Sequence, residues 1–346
     1  MARELTVSID AMGSDAGPGM VVAALARSIV RHPAVKFILH GDETALNALL
    51  AKRAKLAERV TVRHAAEQVR MEEKPSLALR RGRNTSMWHA IESVKTKEAE
   101  VVISAGNTGA LMAMSMFQLG VLQGISRPAI AAIWPTKRAQ SIVLDVGANI
   151  SCDAEQLVDF AVMGEAFARA ILGLERPTVG LLNVGSEDMK GHDAVKSAAH
   201  MLRNASLPIE FAGFVEGDDI SEGTVDVVVT DGFTGNIALK TAEGTAKLVV
   251  GYLRQALRSS LFGQIGAVIA SGSLRALRRK LDPSSSNGGI FLGLNGVVVK
   301  SHGGTDAMGF AGAVDMAIEI ADAGVIARIV ADRAKMATPT IEAAAS

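Results

Sequence analysis

Cysteine and aromatic residues are scarce in this chain of 346 residues. It has a single cysteine, Cys152, and aromatic residues make up 4% of the sequence. One cysteine excludes an intrachain disulfide framework and a cysteine-rich zinc site. The N-terminus also lacks an apolar stretch of signal length. Together these absences predict a cytoplasmic protein in a reducing compartment.

The chain has no excess of charge of either sign. Its 36 basic and 36 acidic residues cancel, and its pI is near 7.1. This balance excludes a global nucleic-acid footprint, so we expect no nucleic-acid partner. Hydrophobic residues make up 49%, which supports a sizeable core and excludes global disorder. The uncharged run between Glu100 and Arg127 contains four glycines and several amides, so we interpret it as a buried strand, a polar loop and a buried helix.

A recurring unit organises the chain: a short apolar run, a glycine-rich polar loop, then a helical pattern. Continuous apolar strands alternating with helices predict an α/β fold with a mainly parallel sheet and helices on both faces. In such sheets the loops after the strands form the ligand crevice, so we expect these loops to converge on one side. The predicted strands are Leu5–Asp10, Val101–Ser104, Ser141–Val146, Thr178–Asn183, Asp226–Thr230 and Val297–Lys300.

One helix has a clear start signal. Asp153 and Gln156 form a capping-box pattern that predicts a helix over Ala154–Ile171. Helical spacing predicts that its buried face includes Leu157, Phe160, Ala161 and Phe167.

The segment 244–281 departs from this pattern, because it holds seven basic residues and no acid. Its leucines recur at helical spacing, which predicts a pair of basic amphipathic helices over 244–283. We expect the α/β core over 1–243 and 284–336, and a frayed tail over 337–346. A solvated hairpin or a dimer contact competes with docking to a membrane or an acidic protein. The docking candidates are Leu253, Leu257, Leu261, Arg275, Arg278, Arg279 and Lys280.

Several familiar catalytic signatures are missing. The sequence has no G-x-x-x-x-G-K-[ST] loop, no H-E-x-x-H, no G-x-S-x-G, and no G-x-G-x-x-G after its first strand. These absences disfavour a P-loop NTPase, a zincin, a serine hydrolase and an ordinary dinucleotide dehydrogenase.

Two glycine-asparagine loops precede predicted helices, at 105–109 and 232–236. Backbone amides at a helix N-terminus suit an anion such as phosphate, although the same dipeptides also make plain tight turns. The candidate phosphate-binding residues are Gly106, Asn107, Thr108 and Gly235.

Two further residues follow apolar strands. Lys190 could neutralise an anion or a developing oxyanion, or it could be a surface lysine paired with Glu187 or Asp188. His302 could protonate a leaving group or bind an oxyanion, or it could be a satisfied loop histidine.

Asp10, Asp145 and Asp231 all end predicted strands. They could bind a metal, but we favour turn caps and predict no metal site. Cys152 precedes a helix start, yet without a histidine partner we expect a buried structural cysteine.

These loops together resemble the bacterial acyl-acyl-carrier-protein:phosphate acyltransferases of phospholipid synthesis. The resemblance covers about residues 5–325, and the order and spacing of the motifs make it specific. The motifs are Asp10-Ala-Met-Gly-Ser-Asp15, Ser104-Ala-Gly-Asn-Thr-Gly-Ala110, Leu144-Asp-Val-Gly-Ala-Asn149, Leu181-Leu-Asn-Val-Gly-Ser-Glu187 with Lys190-Gly191, and Asp231-Gly-Phe-Thr-Gly-Asn-Ile-Ala-Leu-Lys240.

The resemblance implies transfer of a fatty acyl group from acyl-acyl-carrier-protein to inorganic phosphate, without a cofactor. The acyl phosphate would then feed a membrane glycerol-3-phosphate acyltransferase. It also implies a homodimer, peripheral membrane association and a Rossmann-like fold related to phosphotransacetylases and isocitrate-dehydrogenase-type enzymes.

For this reaction we expect Lys190 and the amide of Asn236 to stabilise charge and the oxyanion, with Asn107 and Thr108 at the phosphate. His302 is a further candidate for contact with the thiolate or phosphate. Two rivals stay open, a nicotinamide-dependent dehydrogenase of the isocitrate type and a non-catalytic peripheral membrane scaffold.

Overall fold

Eleven strands form one sheet in the order β3-β2-β1-β4-β11-β10-β5-β6-β9-β7-β8. A computed structural model describes residues 5–205, 209–274 and 288–336, and the structural statements below concern these residues. The strands are β1 Thr6–Asp10, β2 Lys36–Gly41, β3 Val60–His64, β4 Val101–Ser104, β5 Ala129–Pro135, β6 Gln140–Leu144, β7 Thr178–Leu182, β8 Glu210–Val215, β9 Val227–Val229, β10 Gly289–Leu292 and β11 Val297–Lys300.

Helices cover both faces of the sheet, as predicted, and each face has its own apolar core. One core packs residues of α1, α2, α3, α7, α8, α12 and α13 on the sheet, and the other packs α4, α5, α6, α9 and α10. The helices are α1 Pro18–Arg31, α2 Glu43–Leu50, α3 Ala54–Ala57, α4 Pro75–Arg81, α5 Ser86–Lys95, α6 Thr108–Leu119, α7 Ala154–Ile171, α8 Asp193–Asn204, α9 Gly217–Glu222, α10 Gly232–Arg258, α11 Leu261–Ile269, α12 Ala307–Ala323 and α13 Val325–Met336.

The strands fall into two parallel groups that run in opposite directions. β1 to β4 are parallel to β11, whereas β6, β7, β8 and β9 are parallel to one another. β10 is antiparallel to both β11 and β5, and β5 is antiparallel to β6. The mainly parallel sheet is confirmed, but the expectation that all polar loops leave one edge is wrong. Strands in the two groups point their carboxyl ends opposite ways.

Register nevertheless brings two of these strand ends together. Lys300, at the end of β11, is level with Gly289, which is level with Ala132 of β5. Leu144, at the end of β6, is level with Ala131. β6 therefore ends one residue away from the level of Lys300, and the loops after β6 and β11 lie over the same part of the sheet.

The predicted helix over Ala154–Ile171 is confirmed with the same bounds as α7. Both hydrogen bonds of its capping box form between Asp153 and Gln156. The predicted face of α7 is buried, as is most of the helix, because α7 lies between the sheet and the neighbouring helices α8 and α13.

The helix in which the predicted amphipathic segment starts begins before residue 244. α10 runs unbroken from Gly232 to Arg258, and only Gly232 and Gly235 are buried along it. α11 contacts α10 and has no buried residue. None of the helices in the described ranges is long and apolar enough to cross a bilayer.

Some of the predicted docking residues are described and others are not. Leu253 and Leu257 are half-buried, whereas Leu261 is exposed. Arg275, Arg278, Arg279, Lys280 and the tail 337–346 lie outside the described residues.

Candidate active site

A cavity of about 510 Å³ lies between β5 and the helix α10. Its volume is that of an ordinary small-molecule site. The wall is largely apolar because β5 and α10 face each other there with side chains of the second core. The apolar lining residues are Ile130, Ala132, Ile133, Trp134, Pro135, Val146, Leu239, Ala242 and Ala246.

Polar and charged side chains line the same cavity. Thr108 comes from the start of α6, Asn236 and Lys240 from α10, and Lys300 and His302 from the end of β11. The cavity therefore combines an apolar surface with two lysines and a histidine, which suits a ligand with an apolar part and an anionic part.

Lys240, Glu243 and His302 form a hydrogen-bonded group in this cavity. The Lys240 ammonium donates to Nε2 of His302 over 2.9 Å and to the Glu243 carboxylate over 3.0 Å. Burial lowers the pKa of His302, and the charge of Lys240 lowers it further. The imidazole is therefore neutral near pH 7, and its proton belongs on Nδ1. Nε2 therefore carries no proton that it could give to a leaving group. This argues against the predicted role of His302 as a general acid through that nitrogen.

Lys300 is held at the end of β11 by two main-chain acceptors. Its ammonium donates to the carbonyl oxygens of Ala105, over 3.3 Å, and Ser301. Burial lowers the pKa of Lys300 to about 8, against the attraction of Asp10 and Asp15. Two of its three N–H bonds are used, so one donor is left for a ligand.

Asp10 supports the loop beside Lys300. Its buried carboxylate accepts from the hydroxyls of Ser86, over 2.6 Å, and Ser104, over 2.7 Å. Burial raises the pKa of Asp10, although these hydrogen bonds oppose the rise. Ser104 Oγ in turn accepts the amide of Gly106 over 3.0 Å. The Gly106 amide is thus used within the loop, and Gly106 does not line the cavity.

Asn107 caps α6 with its side chain. Its Oδ1 accepts the amide of Ala110 over 3.0 Å. Its Nδ2 donates to the carbonyls of Met71, over 2.7 Å, and Glu73, over 2.9 Å, with a longer contact to Arg70. A phosphate bound by the Asn107 side chain, as predicted, would have to displace these structural hydrogen bonds. The neighbouring Thr108 lines the cavity.

Asp145 holds the loop after β6. Its carboxylate accepts from the amides of Ile130, Gly147, Ala148 and Asn149 and from the side chain of Asn149. Burial raises its pKa. Gly147 has φ 139, where a side chain is strained, and a Cβ there would come within 3.7 Å of the Asn236 side chain.

Gly235 has a packing role in this structure. A Cβ at Gly235 would overlap the carbonyl oxygen of Asp145, so α10 can approach the β6 loop only with glycine there. Gly235 itself does not line the cavity. Its contribution is to place Asn236, one residue later, at the cavity wall.

Lys190 lies apart from the cavity of the described chain. It is exposed and pairs with Glu187 over 2.8 Å. That hydrogen bond raises the pKa of Lys190. β7, which precedes its loop, is five positions from β11 in the sheet, or about 24 Å at the usual strand spacing.

The other sequence candidates have structural contacts. Asp231 caps α10 by accepting the amide of Thr234 over 2.9 Å. Burial, with the charge of Asp145, raises the pKa of Cys152 to about 12, so this thiol is not an activated nucleophile. Across the described ranges, no group of three or more histidine, cysteine, aspartate or glutamate side chains is placed to hold a metal ion.

Sequence reasoning missed Lys240, Lys300 and the apolar wall. Lys300 had a signal, because it ends a predicted strand two residues before His302. Lys240 had one as well, because it lies four residues after Asn236 and so on the same face of a helix. The apolar wall had no signal in the sequence, because it forms only when α10 packs over β5 in the folded chain.

Comparisons with known proteins identify the family of this chain. The family model described as fatty acid synthesis protein matches residues 5–328. The phosphate acyltransferase of Parvibaculum lavamentivorans is 56% identical over 333 residues, covering 96% of this chain and 92% of that protein. The phosphate acyltransferase of Sinorhizobium fredii is 57% identical over 331 residues, covering 95% of each.

The fold has solved counterparts. A phosphotransacetylase from Streptococcus pyogenes superposes with a TM-score of 0.61 at 16% identity, covering 93% of this chain and 95% of that one. This likeness confirms the expected α/β architecture. The match over nearly the whole sequence shows that the chain belongs to the fatty acid synthesis protein family.

Proposed function

We propose that this acyltransferase moves a fatty acyl group from an acyl-carrier-protein thioester to inorganic phosphate in the cavity between β5 and α10. Acyl transfer to phosphate is the activity in the names of relatives that are more than half identical over nearly the full chain. The observation that carries the proposal is one cavity with both an apolar wall and a cationic group.

The chemistry needs little from the protein beyond binding and charge stabilisation. A phosphate oxygen attacks the thioester carbonyl, the tetrahedral oxyanion collapses, and the C–S bond breaks to give acyl phosphate and the carrier's thiolate. A thiol of pKa about 8.5 leaves readily near neutral pH. No nucleophile from the enzyme is required, which agrees with the raised pKa of Cys152.

Phosphate is placed by the cationic residues of the cavity. Lys300 offers a free N–H, and Lys240 supplies a second positive charge. The amino end of α6, at Thr108, adds the positive end of a helix dipole. The acyl chain then lies along the apolar wall, and the side-chain amide of Asn236 faces the reacting carbonyl.

Lys190 enters this scheme through a homodimer. Its loop exposes Val184 and Met189, and the start of α10 exposes Phe233 and Ile237. Exposed apolar surfaces of this kind are typical of protein contacts. We propose that a second copy of the chain covers them and brings Lys190 to the oxyanion in the cavity of its partner.

The end of the α10–α11 pair is proposed to dock on the membrane from the cytoplasmic side. α11 carries no charged residue and exposes Leu261, Phe262, Ile265, Val268 and Ile269. Its apolar side chains would bury in the headgroup boundary, and Arg254 and Arg258 near the end of α10 would face the anionic headgroups. The acyl phosphate could then pass to a membrane glycerol-3-phosphate acyltransferase.

One assay tests the function. Protein is incubated with acyl-carrier-protein thioester, and free thiol is measured with and without phosphate. Phosphate-dependent release of thiol, with acyl phosphate as the product, is expected. Release without phosphate would indicate a hydrolase, and no release would leave the scaffold alternative. A binding titration with a nicotinamide nucleotide distinguishes the dehydrogenase alternative from the acyltransferase, because only the dehydrogenase would bind it.

A further inference from the structure

One cluster of exposed basic residues lies on the segment from residue 70 to residue 83. This segment holds five basic and two acidic residues, a net charge of +3 in a chain whose total charge is zero. Within the described ranges none of the five takes part in an ion pair. They form what we call the basic α4 surface: Arg70, Lys74, Arg80, Arg81 and Arg83.

The basic α4 surface lies next to the cavity mouth. Asn107 Nδ2 holds the segment through the carbonyls of Met71 and Glu73. A Cβ on Gly109 would strike Pro75, the first residue of α4, and one on Gly303 would strike Met71. The segment thus packs on the two loops that supply Thr108 and His302. α4 spans about 10 Å, so its last residue, Arg81, lies about that far from the contact of Pro75 with Gly109.

Exposed apolar groups accompany these charges. The Arg83 guanidinium lies 6.0 Å from the centre of the Trp88 ring, and this ring lies 5.8 Å from that of Phe117. Phe117 is 61% exposed and Leu77 is 38% exposed. Arginine and aromatic side chains are enriched in protein interfaces and dominate their binding energy.

We propose that the basic α4 surface docks the acyl carrier protein, a small acidic partner, so that its thioester arm enters the cavity beside it. This inference rests on the proposed function and adds the place where the macromolecular substrate binds. Charge complementarity guides the encounter, and Phe117 and Leu77 supply the apolar contact. α11, another exposed apolar surface, has no charge of its own with which to select an acidic protein.

The test combines binding with a comparison of two substrates. The variant Arg80→Glu, Arg81→Glu, Arg83→Glu is titrated with labelled, unacylated carrier protein at about 0.15 M salt. We expect its Kd to rise at least 10-fold. The KM for acyl-carrier-protein rises to a similar extent, whereas turnover of acyl-pantetheine, a thioester without the protein, stays unchanged. That unchanged turnover also shows that the variant is folded.

Two control variants locate the effect. Lys52→Glu, Arg53→Glu, Lys55→Glu makes the same change of charge at exposed positions around α3, and we expect unchanged carrier binding. Arg254→Glu, Arg258→Glu tests the α10–α11 pair instead. Unchanged binding by the α4 variant, or an equal loss in either control, overturns the proposal.

Failure of the proposed function would look different. If the wild-type protein binds carrier protein and the α4 variant does not, docking stands even when no thiol is released with phosphate. If thiol release is normal and the α4 variant binds as tightly as wild type, only the docking proposal fails.

Discussion

The ammonium group of Lys240 donates a hydrogen bond to Nε2 of His302 over 2.9 Å. The bond joins α10 to the loop after β11 at the cavity wall. It also couples the charge of the lysine to the protonation of the ring, because a protonated imidazole could not accept it. The Glu243 carboxylate lies 3.7 Å from the same nitrogen and favours the protonated ring.

Removing the Lys240 charge should raise the pKa of His302. In Lys240→Met the ring loses a repulsive cation and keeps the attraction of Glu243, so both effects favour the protonated form. Proton NMR titration of the histidine rings measures the pKa. Lys240→Arg keeps a cation and serves as the matched control. A His302 pKa that is the same in wild type and Lys240→Met would contradict the contact.

Replacing Lys300 with Met should raise the KM for phosphate by about 10- to 100-fold, as expected for a charge-assisted hydrogen bond of about 1.5–3 kcal/mol. Steady-state kinetics with varied phosphate measure this effect. Lys55→Met, at an exposed site on α3, is the control. An unchanged KM for phosphate would remove Lys300 from the anion site.

Phosphate affinity should also depend on pH through Lys300. Its pKa is about 8, so the positive charge is present below that pH and is lost as the pH rises through it. We therefore expect the KM for phosphate to increase above about pH 8 in the wild type. Lys300→Arg keeps its charge at these pH values, so its KM for phosphate should not increase in this range. A wild-type profile that stays flat from pH 7 to about pH 9 would argue against the assignment.

Lys190→Ala should lower turnover by roughly 100-fold, the cost of losing one oxyanion-stabilising group. The homodimer proposal adds a sharper expectation. When Lys190→Ala and Lys300→Met subunits are mixed, half of the dimers are mixed, and each mixed dimer regains one intact site. At a phosphate concentration well below the wild-type KM, where Lys300→Met sites contribute little, activity should return to about a quarter of wild type.

Two results would revise this role of Lys190. Normal turnover in a folded Lys190→Ala protein would exclude the lysine from the mechanism. A loss that mixing does not rescue would place its action within its own chain.

The exposed side chains of α11 should be required for membrane binding. Phe262 is 86% exposed and Val268 is 74% exposed, so Phe262→Glu, Val268→Glu should abolish sedimentation with anionic vesicles while soluble turnover survives. These exposed positions test membrane binding more directly than Leu257, because the Leu257 side chain is half-buried. Val30→Glu on α1, 79% exposed, is the control. Unchanged sedimentation would make the helix pair a solvated or dimer-forming element.

Much of the fold could be predicted because its local signals agree with its burial. The strands Val101–Ser104 and Val297–Lys300 have the predicted bounds, and the others differ by one or two residues at their ends. The capping box at Asp153 set the start of α7 correctly. Strand direction could not be predicted, because it depends on β10 and β5, whose pairing is made between residues far apart in the chain.

The site was predicted less completely for a related reason. Thr108, Asn236 and His302 line the cavity, as loop chemistry suggested, whereas Gly106 and Gly235 pack behind it. A glycine that admits a neighbouring backbone and a glycine that admits a ligand look the same in a sequence. Lys240 and Lys300 were missed because they belong to a helix and to the last position of a strand, and not to the glycine-rich loops.

α10 is a single rod of 27 residues, about 40 Å long. One end carries Asn236 and Lys240 against the cavity, and the other continues into a surface of exposed apolar side chains. If α10 moves as a rigid body, a tilt of the far end would displace the cavity wall by leverage. A surface that binds that outer end would then change the shape of the cavity.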